Sequence, residues 1–159
     1  MPSIVTVILF FFPLSIFANT IEPSLSDAQK AFQDGRQLEA YEMWTSLANE
    51  GDIVAMNNLG YLYEKGIVVE KNLNKSLNLY EKAAERGFPT AQYNVGEIYA
   101  EGRGVKKNKI FALKWFILAG TRGDKDAQNY YEKIFNSLTE EEVEKANKLA
   151  RDWKIKKLN

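Results

Sequence analysis

Carboxylates, tyrosines, lysines and serines are the side chains left to do chemistry in this 159-residue chain, because it contains neither histidine nor cysteine. Without histidine, imidazole base catalysis and Ser-His or Cys-His nucleophiles are excluded, together with most zinc and iron sites. Without cysteine, disulfides, thiolate catalysis and iron–sulfur clusters are excluded as well. Carboxylate chemistry and non-covalent recognition therefore remain.

The carboxylate pairs, serine motifs and glycine-rich segment of the chain indicate a binding protein and not an enzyme. Carboxylate pairs such as Glu140 and Glu142 fall on an exposed predicted helix, where nothing would separate their pKa values. The chain has no Ser-x-x-Lys, Ser-Asp-Asn or Lys-Thr-Gly pattern. Gly102-Arg-Gly104 is rich in glycine but lacks the strand–turn–helix context of a phosphate-binding loop. We therefore expect no enzyme activity, no cofactor and no metal.

The charges of the chain balance, with 21 lysines and arginines against 21 aspartates and glutamates. Binding to nucleic acid is driven by release of counterions from phosphates, and it usually leaves a basic excess. The composition therefore predicts no nucleic-acid partner.

A repeat with an offset of 36 residues organises the middle of the chain. Residues of the same or similar type coincide at this offset, and the coinciding sets are Ala55/Ala91/Ala127, Gly60/Gly96, Tyr63/Tyr99, Gly66/Gly102, Asn72/Asn108, Tyr80/Phe116 and Gly51/Gly87/Gly123. A fixed period of this size is typical of a solenoid whose units are too small to bury their own apolar faces. We predict an all-α fold, an α/α solenoid of antiparallel helix pairs.

Each repeat predicts two helices. Ala55, Leu59 and Tyr63 recur at i, i+4 and i+8, which is one apolar stripe of a first helix. Gly60 lies inside that helix, where glycine costs about 1 kcal/mol relative to alanine. Its repetition as Gly96 predicts a close approach by the neighbouring helix.

Turn and cap residues predict the ends of the helices. Gly66 should end the first helix of its repeat, and Asn72 should cap the second. A capping box at residues 26–29 predicts a short opening helix, and another at residues 139–142 predicts a closing one.

The N-terminal residues differ from the rest of the chain. The apolar run from Ile4 to Phe17 is too short to span a bilayer comfortably, but it matches the core of a secretory signal peptide. No basic residue precedes the run, and Ile16 is large for its position before a cut after Ala18, so an uncleaved membrane anchor remains the alternative. The predicted organisation is a signal peptide (1–19) and a repeat domain (26–153), which comprises a short first unit (26–51), two repeats (53–87 and 89–123) and a capping unit (124–155). We expect the protein to be exported, to the periplasm or the medium.

The segment Ala55-Met-Asn-Asn-Leu-Gly-Tyr-Leu-Tyr-Glu-Lys-Gly66, which returns from Ala91 to Val105, resembles the Sel1-like repeat of the tetratricopeptide-like class. The resemblance covers roughly residues 26–153 and implies an α/α solenoid that acts as a scaffold or adaptor, in an exported bacterial member. Val68 departs from the pattern, since the family prefers the glycine that Gly104 keeps. We therefore expect the loop at 66–71 to follow a different path.

The outward positions of the first helices are the candidate binding residues. In helix-pair solenoids these helices line the concave face, and the positions are Asn57, Tyr61, Glu64, Tyr93, Glu97, Glu101, Asn129 and Lys133. Tyrosine offers a large and fairly rigid contact with a polar tip, and asparagine can bond an extended peptide. The alternative is that these are ordinary solvated helix positions.

The sequence thus predicts a non-enzymatic scaffold that binds a protein or peptide on its concave face. It predicts contact with a membrane only through an uncleaved N-terminal segment. Two other functions remain open, a β-lactamase-like or penicillin-binding enzyme of the kind linked to some relatives, and an envelope component that binds glycan.

Overall fold

The computed structural model describes residues 24–154, which form eight α-helices and no strand. The helices are α1 (Leu25–Gln33), α2 (Gln37–Asn49), α3 (Ile53–Lys65), α4 (Leu73–Glu85), α5 (Pro89–Glu101), α6 (Lys109–Gly120), α7 (Lys125–Phe135) and α8 (Glu140–Arg151). Within residues 24–154, no helix is long and apolar enough to cross a membrane. The predicted signal segment lies outside the described residues.

The helices pair in the order of the chain, as an α/α solenoid requires. Each helix from α1 to α6 packs against the next one, and α8 packs against α6. The first helices of the pairs are α1, α3, α5 and α7, and we call them the first-helix layer. The predicted all-α solenoid with a period of about 36 residues is confirmed.

The apolar stripe of each first helix enters the core. Ala55, Leu59 and Tyr63 are all buried, and so is Trp44 of the preceding unit. Tyr80 is almost completely enclosed between α3 and its neighbours. The repeats therefore bury their apolar faces both within each helix pair and against the neighbouring pair.

The two glycines inside α3 and α5 make room for an aromatic ring. A Cβ on Gly60 would lie 2.8 Å from the ring of Tyr80, and a Cβ on Gly96 would lie 2.7 Å from the ring of Phe116. Real Cβ atoms do not approach carbon this closely. The predicted close approach at both glycines is therefore confirmed, and the approaching group is the aromatic ring of the second helix.

The cap residues bound the helices largely as predicted. Gly66 ends α3 in the left-handed region at φ +72°, and the side chain of Asn72 accepts the backbone N–H of Lys75 at the start of α4. The closing capping box is present, because Thr139 and Glu142 bond each other's backbone N–H groups.

The opening capping box is a correction. Ser24 and Asp27 form it, whereas the sequence pointed to residues 26–29. The helix begins earlier, at Leu25, whose side chain packs against the buried cluster that contains Ala28 and Trp44.

The loop after α3 is a second correction, because it follows the same path as its counterpart after α5. Val68 takes φ +55°, close to the +72° of Gly104. In both loops the cap asparagine donates its backbone N–H over 2.8 Å, from Asn72 to Tyr63 and from Asn108 to Tyr99. The closing hydrogen bonds of the repeat thus hold valine in a conformation that suits glycine.

Candidate interaction surface

Side chains connect the first helices into one surface. The ring of Phe32 on α1 meets the ring of Tyr61 on α3 edge-on, with 6.4 Å between centroids. On the next pair of first helices, the side-chain amide of Asn94 donates to the side-chain oxygen of Asn57 over 2.9 Å. Tyr93 then meets Tyr130 of α7, with 5.6 Å between centroids. The layer is therefore bridged at each step from α1 to α7.

Arg103 lies at the centre of this surface, in the turn that follows α5. Its guanidinium is 2.5 Å from Glu64, 2.9 Å from Glu97 and 2.9 Å from Glu101. The Arg103 side chain is only 27% exposed, and the attraction of the three carboxylates outweighs the effect of burial and raises the pKa of Arg103. One cation therefore holds three carboxylates from two repeats.

Glu64 is the buried member of this cluster. Its carboxylate also accepts hydrogen bonds from the Tyr80 hydroxyl at 3.1 Å and from the Lys65 amine at 2.9 Å. Burial by itself would raise the pKa of Glu64, but Lys65 and Arg103 outweigh it, so the pKa is lowered overall. Glu64 is therefore held as an anion inside the first-helix layer.

Tyr93 continues the cluster towards α7. Its hydroxyl donates to Glu97 over 3.0 Å, and its ring packs between Phe116 and Tyr130. Burial, with the negative charge of Glu97, raises the pKa of Tyr93 well above its usual range. Tyr93 is therefore a neutral hydrogen-bond donor whose ring is fixed by packing.

Two lysines extend the cluster at its ends. The Lys65 amine lies 5.7 Å from the ring centroid of Tyr61, and the Lys133 amine lies 5.7 Å from that of Tyr130. We call the complete set the Arg103 network; its members are Tyr61, Glu64, Lys65, Tyr93, Glu97, Glu101, Arg103, Tyr130 and Lys133. It crosses α3, α5 and α7 without interruption.

The family of the chain follows from its repeats. The model of the Sel1 repeat matches residues 53–88 and 89–124. A solved structure of a Sel1 repeat protein from Oxalobacter formigenes is 30% identical, and the match covers 67% of this chain and 83% of that chain with a TM-score of 0.61. This chain belongs to the Sel1 repeat family.

A second solved structure is larger than this Sel1 repeat chain. It is a protective antigen present in uropathogenic Escherichia coli strains that displays an SLR fold; it is 26% identical, with a TM-score of 0.76. The match covers 80% of this chain but only 28% of that one. No curated protein sequence matches the chain. Sel1 repeat proteins are commonly scaffolds for protein interactions.

Six of the eight predicted binding residues lie at the surface or at its edge. Tyr61 is 41% exposed, and Glu101, Asn129 and Lys133 are exposed as well. Tyr93 and Glu97 are half-buried within the Arg103 network. The expectation that every one of the eight faces outward is wrong for the remaining two.

Asn57 and Glu64 are the two exceptions, each only 8% exposed. Asn57 is covered because α5 packs over it and supplies Asn94 as its hydrogen-bond donor. Glu64 is covered because Tyr80 and Arg103 close over its carboxylate. Both residues bond side chains of the next Sel1 repeat, so they fix the relative position of the two repeats under the exposed surface.

Arg103 is the member that the sequence did not identify. Its place between Gly102 and Gly104 has no phosphate-loop context, and Ile67 stands at the equivalent place in the preceding repeat, so the repeat pattern does not single it out. The available signal was the excess of glutamates over cations at the outward positions of the first helices.

Among residues 24–154, no group of acidic side chains could hold a metal ion. The surface beside the network has a depression of about 260 Å³, lined among others by Glu101, Tyr130 and Lys133. Such a shape, with charged and aromatic groups at its rim, suits a peptide or a loop of another protein.

Proposed function

We propose that this Sel1 repeat chain is a non-enzymatic scaffold, exported to the cell envelope or beyond, that binds a protein or peptide on the concave face formed by its first helices. The observation that carries the proposal is the Arg103 network, which fixes tyrosine rings and charged groups of three first helices in one arrangement. A surface that is ordered before binding loses less conformational entropy when a partner arrives.

The partner would contact the exposed members of the surface. Tyr61 stands beside Phe32 and under the Lys65 amine, so its ring is positioned while the residue stays 41% exposed. Large, fixed aromatic side chains of this kind commonly carry most of the energy of an interface. Asn129 and Lys133, one turn apart on α7, would supply polar contacts at the other end.

The charged groups would set specificity more than affinity. Glu101 is exposed and pairs with a guanidinium that already serves two other carboxylates. A cation from a partner could therefore take over part of that pairing. Such exchange at the rim of an interface governs orientation and the rate of association.

Export is the second part of the proposal, and the apolar run from Ile4 to Phe17 supports it. Mass spectrometry of the protein from fractionated native cells tests this part. We expect a mature protein beginning at Asn19 in the periplasm or medium. A protein found only in the cytoplasm with an intact N terminus would contradict export, and an intact N terminus in the membrane fraction would indicate an anchor.

Photo-crosslinking in native cells tests the binding surface. The probe residue replaces Tyr61 or Asn129, because these positions are exposed and carry no hydrogen bond of the network. A matched control carries the probe at Lys148, which is exposed on α8.

We expect one dominant protein adduct from positions 61 and 129 and none from position 148. If the folded and exported protein gives no adduct at 61 or 129, the first-helix layer is not the binding surface. Equal adducts at all three positions would indicate non-specific contact and would also contradict the proposal.

A further inference from the structure

A second group of ordered polar side chains lies away from the Arg103 network, in a cavity of about 190 Å³ between α2, α3 and α4. Hydroxyl and amine groups line part of it, namely those of Tyr41, Thr45, Tyr63, Lys75 and Lys82. An adjoining depression of about 410 Å³ shares Tyr63 and Lys75 and adds Lys71 and Glu70. We call the two together the lysine pocket.

The polar groups of the pocket are already ordered. The Lys75 amine donates to the Tyr63 hydroxyl over 2.6 Å, and the hydroxyls of Tyr63 and Tyr41 lie 3.1 Å apart. The Thr45 hydroxyl donates to the backbone carbonyl of Tyr41 over 2.7 Å, which leaves its own oxygen able to accept. Burial raises the pKa of Tyr63, but the hydrogen bonds from Lys75 and Tyr41 outweigh it and lower the pKa overall.

The positive charge of the pocket is not neutralised by the part of the chain that the structure describes. Lys71, Lys75 and Lys82 make no ion pair with any carboxylate there. Glu70 is the one acidic residue in the lining of either cavity. Three cations and one anion therefore border the pocket.

The next repeat shows what the same place looks like without this charge. At the 36-residue offset, Tyr63 corresponds to Tyr99 and Thr45 corresponds to Glu81. The Tyr99 hydroxyl donates to Glu81 over 3.0 Å. Burial, with the charge of Glu81, raises the pKa of Tyr99 to about 12. The tyrosine of the second repeat is thus satisfied by a carboxylate of the repeat before it.

The lysines of the pocket have apolar counterparts in that repeat. Lys75 corresponds to Phe111, which packs against Tyr99 with 5.6 Å between centroids. Lys82 corresponds to Leu118, which is buried. From the lysine pocket to its counterpart one repeat later, the same framework changes from basic to acidic and apolar. Because the two places share the backbone of the repeat, they differ only in their side chains and therefore in the ligand that each could accept.

We propose that the lysine pocket binds a phosphate group, with Lys75 and Lys82 supplying charge and the Tyr41 and Tyr63 hydroxyls supplying hydrogen bonds. Lysine binds phosphate as a compact point charge, and hydroxyls complete the coordination of its oxygens. The phosphate stands beside Tyr63 in the place that the Glu81 carboxylate takes beside Tyr99. The site is independent of the proposed partner surface, because it lies among α2, α3 and α4 and shares no residue with the Arg103 network.

Titration of the full chain with inorganic phosphate tests the site, followed by amide chemical shifts in NMR. Ionic strength is held constant with chloride, because exposed charges respond to salt alone. We expect saturable shifts confined to residues around 41–45, 63 and 71–82. Non-saturable shifts, or the same shifts with chloride, would overturn the proposal.

Three variants test whether phosphate binding depends on the side chains of the pocket. Lys75→Gln keeps a donor for Tyr63 but removes the charge, and it should weaken phosphate binding at least tenfold. Thr45→Glu installs the equivalent of Glu81, the carboxylate that occupies this place beside Tyr99, and should abolish binding. Lys148→Ala, on α8, removes one positive charge away from the pocket and should leave phosphate binding unchanged. An equal loss of binding in this variant would contradict a specific site in the lysine pocket.

A final arm distinguishes the source of the phosphate group. Methyl phosphate is a phosphate monoester, as a phosphorylated ligand would be. Tighter binding of methyl phosphate than of inorganic phosphate supports a site for a phosphorylated ligand, whereas the reverse supports a site for the free ion. Saturable binding of neither one would overturn the proposal.

Discussion

Arg103, in the turn after α5, donates a hydrogen bond to the buried carboxylate of Glu64 on α3, which lies 39 positions earlier in the chain. The pair joins the second Sel1 repeat to the first. In a solenoid the stability of the array depends on contacts between neighbouring units as well as within them. This ion pair therefore belongs to the interface between the two repeats. It also fixes the position of the other side chains of the Arg103 network at the surface of that interface.

Removing the cation of this pair should destabilise the protein. Arg103→Ala leaves the buried Glu64 charge with Lys65 as its one neighbouring cation, and we expect the free energy of unfolding at pH 7 to fall by about 1–3 kcal/mol. Adding Glu64→Gln should recover part of the loss, because the buried charge is then gone. Urea unfolding of the single and double variants measures both effects. A double variant less stable than Arg103→Ala would contradict this account.

The same pair predicts a dependence on acid. Folding lowers the pKa of Glu64 from the usual value of 4.5, so its stabilising contribution is present above that pH and is lost as the pH falls through the lower folded value. The difference in unfolding free energy between the wild type and Arg103→Ala should therefore shrink from pH 7 to pH 3. A difference that stays constant over this range would show that Arg103 does not act through the Glu64 charge.

The glycines inside the first helices should tolerate no side chain. Gly60→Ala and Gly96→Ala place a Cβ within 2.8 Å and 2.7 Å of the Tyr80 and Phe116 rings. Overpacking of this kind costs about 1–3 kcal/mol, and only about 1 kcal/mol returns through helix propensity. We expect both variants to lower the urea midpoint.

Gly120 provides the matched control for these two substitutions. It is the last residue of α6, and its nearest neighbour to an added Cβ is the Gln128 side chain at 3.7 Å, an ordinary contact. Gly120→Ala should therefore be neutral or stabilising. If it destabilises as much as Gly60→Ala, the ring contacts are not the reason for the glycines.

The loop after α3 should gain stability from the glycine that it lacks. Val68 is held at φ +55°, which costs a residue with a Cβ about 1–2 kcal/mol. Val68→Gly should therefore raise the free energy of unfolding by about 1 kcal/mol, after the entropy that glycine loses on folding. The reverse change, Gly104→Val, should destabilise more, since its Cβ would lie 2.9 Å from the Cβ of Leu73. Thermal unfolding of the two variants compares them directly.

The sequence was sufficient for the parts of the fold that depend on local pattern. The period placed Gly60 and Gly96 at close contacts, and the cap residues placed Gly66 and Asn72 at helix ends, because these features depend on neighbours along the chain. The path of the loop at Val68 was predicted incorrectly, because the repeat's hydrogen bonds override the preference of one residue.

The surface was harder to predict, because it depends on which helices cover one another. Asn57 was expected at the surface and is buried, since Asn94 of the next repeat lies over it. Arg103 was overlooked because its partners lie on different helices. The packing of α8 against α6 was also absent from the pattern, because a capping helix has no repeat partner to align with.

The most direct test of the proposed function uses the partner protein that crosslinking identifies. The affinity of this partner is measured for three variants of the purified chain. Tyr61→Ala and Lys133→Ala remove exposed members of the Arg103 network, and Lys148→Ala removes an exposed charge on α8. We predict that Tyr61→Ala weakens binding at least tenfold, which is about 1.4 kcal/mol, that Lys133→Ala weakens it less, and that Lys148→Ala has no effect. Circular dichroism confirms that each variant keeps its helicity. Unchanged affinity in the folded Tyr61 and Lys133 variants, or a loss confined to Lys148→Ala, would contradict binding on the first-helix layer.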